Sequence, residues 1–233
     1  MITFGLDSAG RTAAVALMRG EELLFESFLC AGHTHSETLM GLVDGAFKAT
    51  GLSPADVDLW GVCAGPGSFT GLRIGLATVK GLALVHGAPC AAVSTPEALA
   101  YSCPAGQGTV LAALDARRGE VYWAAFDLAS RARLVPDSAA PVKDLAQFVE
   151  NCKKPLFFVG DGAALCYNVY GQTEGVLPCP PALGLCRGAG VCLAARAMND
   201  RGEAMSAAAL APSYLRLSQA ERERAERGQS LRP

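Results

Sequence analysis

Gly65-Pro66-Gly67-Ser68-Phe69-Thr70-Gly71-Leu72-Arg73-Ile74-Gly75 is the most informative stretch of the 233-residue chain. It follows the apolar run 59–64, which predicts a buried strand, and it leads into residues 76–85, which predict a helix. A glycine-containing turn between a strand and a helix is typical of nucleotide-binding loops and of seams between domains. The stretch therefore predicts an α/β protein and a functional position at this turn.

Three glycines of this stretch, Gly67, Gly71 and Gly75, are spaced four residues apart and would share one face of a helix. Each glycine inside a helix costs about 1 kcal/mol relative to alanine, so a close approach of another helix, a sheet or a ligand is expected in return. Ser68 or Thr70 is expected to cap the start of the helix. We favour a packing surface for another polypeptide, and tight packing on the protein's own sheet remains the alternative.

Two nucleotide-binding motifs do not fit the stretch. A Walker loop ends in Gly-Lys-Ser/Thr, whereas this sequence reads Gly71-Leu72-Arg73. A dinucleotide fingerprint needs a third glycine where Thr70 stands. The sequence also lacks the Gly-x-Ser-x-Gly elbow of a serine hydrolase around Ser68.

The glycine stretch resembles the signature of the TsaB (YeaZ) family. Four further segments agree with that family, namely Leu6-Asp7-Ser8, Ser94-Thr95-Pro96, residues 115–122 and Pro212-Ser213-Tyr214-Leu215-Arg216. The resemblance covers about residues 1–216 and is loose between about 130 and 205. It implies a non-catalytic partner subunit in the bacterial synthesis of threonylcarbamoyladenosine at position 37 of tRNA.

The resemblance also implies a set of partners. A TsaD-like catalytic paralogue would form a heterodimer with this chain, and a TsaE-like ATPase subunit would join the pair. The ATP and the metal ion are expected on those partner subunits, no cofactor or catalytic residue is expected here, and tRNA would be held only through the complex. In the absence of the catalytic paralogue, the surface that binds it would instead pair two copies of this chain.

The order of predicted elements supports the same fold. The segments Ile2–Leu6, Thr12–Met18 and Glu22–Phe28 predict three antiparallel strands, and helix, strand, helix and strand follow them. This is the order of the ribonuclease-H-like unit of the actin, sugar-kinase and Hsp70 superfamily. We therefore predict a first lobe over residues 1–104 with a mixed five-stranded sheet.

A second hairpin, Thr109–Ala116 with Glu120–Asp127, begins what we interpret as a shortened second lobe over residues 105–216. Helix Val142–Asn151, strand Leu156–Gly160 and helices Gly162–Tyr170 and Leu185–Asn199 are expected to complete it. Residues 217–233 form a tail with alternating charges.

The two hairpins carry altered nucleotide motifs. In ATP-using members of the superfamily, an acidic residue organises Mg²⁺ and a glycine two places later admits phosphate. Asp7 and Ser8 are followed here by Ala9, and Asp115 is followed by Arg117 in the corresponding place. We therefore do not expect independent ATP hydrolysis. The alternative interpretation is that Asp7 is a turn residue and that Asp115 pairs with a neighbouring arginine.

No metal site is expected from the sequence. The nine cysteines are scattered without a Cys-x-x-Cys pair, which fits a reducing cytoplasm. His33 and His35 are two residues apart, whereas metal-binding histidines on one helix are three or four apart. A glycopeptidase-like metallopeptidase would need such a pair.

The partner surface is predicted on helices Thr34–Thr50 and Thr70–Val85. The candidate contact residues are Leu39, Leu42, Gly67, Gly71, Leu72, Arg73, Gly75, Leu76, Val79 and Lys80. For each leucine taken singly, an ordinary place in the core is the alternative. The other functional hypothesis is an independent nucleotide-dependent enzyme, such as an ATPase or a small-molecule kinase.

The amino-acid composition excludes several classes of protein. Apolar residues make up 51% of the chain and charged residues 18%, which predicts a folded, core-rich protein. A net charge of −2 argues against direct gripping of a nucleic-acid backbone. No signal peptide and no membrane span are expected, because the first residues lack a basic region and Lys80 and His86 interrupt the longest apolar run.

Overall fold

The structure is a computed structural model, and it describes residues 1–30, 32 and 34–216. The first half contains β1 (Ile2–Asp7), β2 (Ala13–Arg19), β3 (Glu22–Leu29), α1 (His35–Thr50), β4 (Leu59–Gly65), α2 (Phe69–His86) and β5 (Cys90–Ser94). The strands form one sheet in the order β3-β2-β1-β4-β5, antiparallel from β1 to β3 and parallel from β1 to β5. The predicted mixed five-stranded sheet is confirmed.

The second half repeats this topology. After α3 (Thr95–Ser102), which ends the first half, come β6 (Thr109–Arg117), β7 (Glu120–Asp127), β8 (Arg133–Pro141), α4 (Ala146–Asn151), β9 (Leu156–Val159), α5 (Ala163–Tyr170), β10 (Val176–Leu177) and α6 (Gly188–Asp200). Its sheet has the order β10-β9-β6-β7-β8, which matches the first sheet strand for strand. The shortening is therefore not in the number of strands: β10 has two residues, and α4 and α5 have six and eight.

Two strands of the second sheet, β8 and β10, could not be predicted from the periodicity of apolar residues. Strand β8 lies at the sheet edge and is half-buried or exposed along its whole length, so it has no buried alternation, and it contains two prolines. Strand β10 is too short to show any period. An edge strand loses little by lacking an apolar face, which is why the pattern around residues 133–141 gave no strand.

Helix α6 corrects the predicted assignment of elements to lobes. The sequence placed this helix in the second lobe, but it packs on the first sheet. A Cβ on Gly5 would lie 2.4 Å from the carbonyl oxygen of Gly188, and one on Gly61 would lie 2.7 Å from the Cβ of Ala195. Helices α1 and α2 cover the opposite face through a core that includes Phe4, Trp60 and Val79. Helices α3 and α6 thus lie between the two sheets.

Gly67, Gly71 and Gly75, here called the glycine column, pack against another part of the same chain, the turn after β1. A Cβ on Gly71 would lie 2.0 Å from the carbonyl oxygen of Ser8, and one on Gly75 would lie 2.3 Å from the Ser8 hydroxyl oxygen. A Cβ on Gly67 would lie 2.4 Å from the carbonyl oxygen of Ala9. The prediction that these glycines admit another polypeptide is therefore wrong, because the turn after β1 occupies the space.

The predicted apolar contact residues are mostly core. Leu39, Leu72, Leu76 and Val79 are buried, and Leu42 is half-buried against the first core. Lys80 is half-buried, and Arg73 is exposed and donates from Nε to the Tyr214 hydroxyl over 3.0 Å. Leu72, Leu76 and Val79 share one face of α2, and that face is turned toward the protein core.

Within the described residues, no helix combines the length and the apolar character needed to cross a membrane. The tail 217–233 and His33 lie outside those residues.

Candidate functional site

A cleft of about 830 Å³ opens between the two sheets, where the turn after β1 faces the turn after β6. Ala9, Gly10 and Arg11 line one wall and Asp115, Ala116 and Arg117 line the other, and Ser68, Phe69 and Thr70 close one side. The structure thus brings together the glycine stretch and both predicted hairpins. The predicted contact residues Leu39, Leu42, Leu76, Val79 and Lys80 are not among the residues that line this cleft.

The first turn is held by Asp7, which is buried. Its Oδ1 accepts a hydrogen bond from the backbone N–H of Ala9 over 3.0 Å, and its Oδ2 accepts one from the hydroxyl of Thr12 over 3.0 Å. Burial raises the pKa of Asp7, and the hydrogen bond from Ala9 offsets part of that rise. The interpretation of Asp7 as a turn residue that bonds its own backbone is confirmed.

The glycine stretch is locked against this turn. The Ser68 backbone N–H donates to the Ala9 carbonyl over 2.7 Å, and the Ser8 hydroxyl donates to the Gly71 carbonyl over 2.9 Å. The Ser68 hydroxyl accepts from the Gly71 N–H over 3.3 Å, which confirms the predicted helix cap. The Ser68 hydroxyl therefore has a structural role as the cap of α2.

The second turn, which follows β6, carries the side chains of Arg117 and Arg118. The backbone N–H of Arg117 donates to Asp115 Oδ1 over 2.7 Å, and its guanidinium lies 3.7 Å from Asp115 Oδ2. Arg117 and Arg118 have φ angles of 68° and 56°, in the left-handed region. The Arg117 side chain is 87% exposed and lines the cleft.

Three residues that line the cleft were not predicted from the sequence to do so, namely Arg11, His35 and Asp161. Asp161 Oδ1 accepts from the Asp115 backbone N–H over 3.0 Å, and a ring nitrogen of His35 lies 3.0 Å from the Gly10 carbonyl oxygen. Asp161 follows β9 as Asp7 ends β1, between Gly160 and Gly162. An aspartate between two glycines after a strand was the signal available for it.

We expect Asp161→Asn to stabilise the protein at neutral pH. Burial raises the pKa of Asp161 above 3.8, so the folded state holds its proton more tightly than the unfolded state. The free energy of unfolding therefore falls as the pH rises from about 3.8 through the folded-state pKa, and asparagine is free of that loss. Urea titrations should show a gain at pH 7 that disappears in acid, whereas a pH-independent gain would contradict this origin.

A C-terminal segment crosses from one half to the other beside the cleft. The Ser213 N–H donates to the Ala64 carbonyl over 2.7 Å, and the ring of Tyr214 stacks on Phe69 with centroids 4.1 Å apart. Arg216 pairs with Glu120 and lies 5.9 Å from the centroid of Tyr122, which lines the cleft. The segment Pro212–Arg216 thus ties β4 and α2 to β7.

Comparison with known proteins agrees with this architecture. The family model for TsaD, the tRNA N6-adenosine threonylcarbamoyltransferase, matches residues 29–224. The tRNA threonylcarbamoyladenosine biosynthesis protein TsaB of Bacillus subtilis is 28% identical over 95% of this chain and 96% of its own length. The protein of the same name from Escherichia coli is 36% identical over 54% of this chain and 55% of its own length.

Solved structures show the same relationship. YeaZ from Pseudomonas aeruginosa aligns with a TM-score of 0.73 and 26% identity, over 92% of this chain and 99% of that one. An activator of 2-hydroxyisocaproyl-CoA dehydratase from Clostridium difficile aligns with a TM-score of 0.51 at 11% identity, over 87% of this chain and 96% of that one, which shows a shared fold alone. The matched family model, the nearly full-length similarity to TsaB and the YeaZ fold together make this chain a member of the TsaB (YeaZ) family.

Proposed function

We propose that this chain is a non-catalytic subunit that supports a TsaD-like catalytic subunit in threonylcarbamoyl transfer to adenosine 37 of tRNA. The observation that carries the proposal is the similarity to Bacillus subtilis TsaB, a protein named for threonylcarbamoyladenosine biosynthesis, over nearly the whole of both chains. The family model matched by residues 29–224 describes the transferase itself, which supports a paralogue as the partner.

The two turns of the cleft support the non-catalytic part of the proposal. Ala9 supplies a methyl group and Arg117 a guanidinium at the positions where a phosphate would need bare backbone. The backbone N–H of Arg117 is already bonded to Asp115, and that of Ala9 is bonded to Asp7. Neither group is therefore free to cradle a phosphate oxygen in the way of a phosphate loop.

The outer faces of α1 and α2 remain the proposed partner surface, with different contact residues from those predicted. Met40, Gly41, Ala77, Gly81 and Leu84 are exposed on these two helices. A Cβ on Gly41 or Gly81 would meet no atom within 4 Å. Small residues beside exposed apolar ones suit the close packing of a helix from another subunit.

The remaining partners follow from the same proposal. A TsaE-like ATPase would join the pair in the cytoplasm, and ATP and the metal ion used in the reaction would be bound by the partner subunits. This chain would meet tRNA only through the complex, in keeping with its net charge of −2.

The test is a tRNA modification assay that contains the cognate TsaD-like subunit and the other components of the reaction, with and without this chain. We expect modified tRNA to form at a useful rate only when this chain is present, while the isolated chain turns over no ATP. Unchanged modification in its absence would defeat the proposal. Robust ATP turnover by the isolated chain would favour an independent nucleotide-dependent enzyme, to which the 830 Å³ cleft lends some support.

A further inference from the structure

Behind the first turn of the cleft, the fold gathers two thiols and a carboxylate. Asp7 ends β1, Cys63 lies within β4, and Cys186 precedes α6, so three separate parts of the chain meet here. All three side chains are buried, and one carboxylate oxygen and the two sulfur atoms lie within 4.8 Å of one another. This is the one such group of metal-ligating atoms in the part of the chain that the structure describes.

The donor atoms suit a particular ion. Thiolate sulfur with a carboxylate oxygen is a ligand set for Zn²⁺, whereas Mg²⁺ and Ca²⁺ take oxygen ligands only. Zinc lies about 2.3 Å from sulfur and about 2.0 Å from oxygen, which places tetrahedral ligands roughly 3.5 to 3.8 Å apart. The observed spacing therefore asks for only small side-chain movements.

The carboxylate of Asp7 is oriented in advance. Its two oxygens accept hydrogen bonds from the Ala9 N–H and the Thr12 hydroxyl, and the Cys63 and Cys186 thiols also hydrogen-bond to this carboxylate, contacts that a bound metal ion would replace. Hydrogen bonds such as those from Ala9 and Thr12 fix the direction of a ligand and raise metal affinity. Among the described residues neither Asp7 nor the nearby Asp161 forms a salt bridge, and the hydrogen-bond donors to Asp7 and Asp161 are backbone N–H groups, the Thr12 hydroxyl and thiols.

Space for a fourth ligand adjoins the cluster. A small pocket of about 10 Å³ is lined by Asp7, Thr12 and Cys186 among others, and this volume is about that needed for one water molecule. The cavity shares Gly10, Arg11 and Asp161 with the lining of the large cleft. Water can therefore complete a coordination sphere that three protein ligands leave open.

We propose that Asp7, Cys63 and Cys186 bind one Zn²⁺ ion, with water as the fourth ligand. Binding removes the proton from each of the two thiols and releases both protons to solvent, and no electron is transferred. The ion would join β1, β4 and the segment before α6 into one unit at the base of the cleft. The site is independent of the proposed role in tRNA modification.

The test uses the full-length protein, stripped of metal under reducing conditions and titrated with Co²⁺ and then with Zn²⁺. We expect one equivalent of Co²⁺ to give thiolate charge-transfer and tetrahedral d–d absorption, Zn²⁺ to displace it, and Zn²⁺ to raise the melting temperature. Cys63→Ala and Cys186→Ala should each weaken binding by about 100-fold or more. Cys166→Ala, at another buried thiol that belongs to no group of three metal-ligating side chains among the described residues, should bind like the wild type.

Several results would overturn the proposal. These are the absence of stoichiometric binding by the wild type, equal binding by all four proteins, and formation of a Cys63–Cys186 disulfide in place of metal uptake. Circular dichroism of the alanine variants separates a lost ligand from a lost fold. Should both alanine variants unfold, Asp7→Asn serves as the ligand variant, and its unchanged affinity would equally overturn the assignment.

Discussion

Replacing Gly71 with alanine is expected to destabilise the protein by about 3 kcal/mol, although alanine is the better helix former. The new methyl carbon would lie 2.0 Å from the Ser8 carbonyl oxygen and 3.2 Å from a carbon of the His35 ring. The nearest atom belongs to backbone that is itself bonded to the glycine stretch, so it cannot rotate away. Either α2 or the turn after β1 must shift, and the cleft would lose its shape with it.

The same helix offers a matched control. Gly81 also lies inside α2, but a Cβ there meets no atom within 4 Å. Gly81→Ala should therefore stabilise the protein by about 0.5 to 1 kcal/mol through helix propensity alone. Urea denaturation of both variants measures the difference. Equal effects at positions 71 and 81 would mean that the glycine column does not face the turn after β1.

Arginine at two outward positions of α2 is expected to abolish capture of the TsaD-like subunit while the fold is retained. The double variant Ala77→Arg and Gly81→Arg places two long charged side chains on the proposed partner surface, where a helix of the partner would have to displace them. Changes at hot-spot residues near the centre of an interface cost about 2 kcal/mol or more, so we expect the dissociation constant to rise by at least about 30-fold. Calorimetry or a pull-down measures it.

Two controls make this result specific. Ala129→Arg adds one arginine, against two in the double variant, at an exposed turn between β7 and β8 in the other half of the protein, and it should bind the partner normally. Gly81→Ala, which adds one methyl group at the same position, should bind the partner much more tightly than the double arginine variant. Wild-type affinity in the double arginine variant, with an unchanged melting temperature, would exclude this face of α2 as the contact surface.

The first sheet could be predicted because its elements are encoded in local patterns, whereas strands β8 and β10 of the second sheet could not. Three strands followed by helix, strand, helix and strand leave apolar runs and turn residues that are visible without tertiary contacts, and Ser68 carries its own capping signal. The assignment of α6 to a lobe could not be predicted in this way. Apolar periodicity identifies the buried face of a helix, but it contains no information about which of two sheets will cover that face.

The assignment of the glycines as partner contacts failed for a related physical reason. Spacing correctly placed Gly71 and Gly75 on one face of a helix, yet a close approach by the protein's own turn leaves the same signature as a close approach by a partner. Gly41 and Gly45 of α1 have the same four-residue spacing, and a Cβ on either would meet no atom within 4 Å, so the spacing alone does not distinguish packed glycines from open ones. The cluster of Asp7, Cys63 and Cys186 is assembled by tertiary structure from distant positions, so no spacing rule detects it.

The place of α6 in the chain has a consequence for biosynthesis. Strands β1, β2 and β4 leave the ribosome early, but residues 188–200, which cover one face of their sheet, are translated only after both sheets have been made. During that interval the nascent first half presents an uncovered face to chaperones and to other nascent chains. A fragment that stops after α3 would keep that face open permanently, so we expect it to aggregate, and grafting or fusing the first half alone would require a substitute for the missing helix.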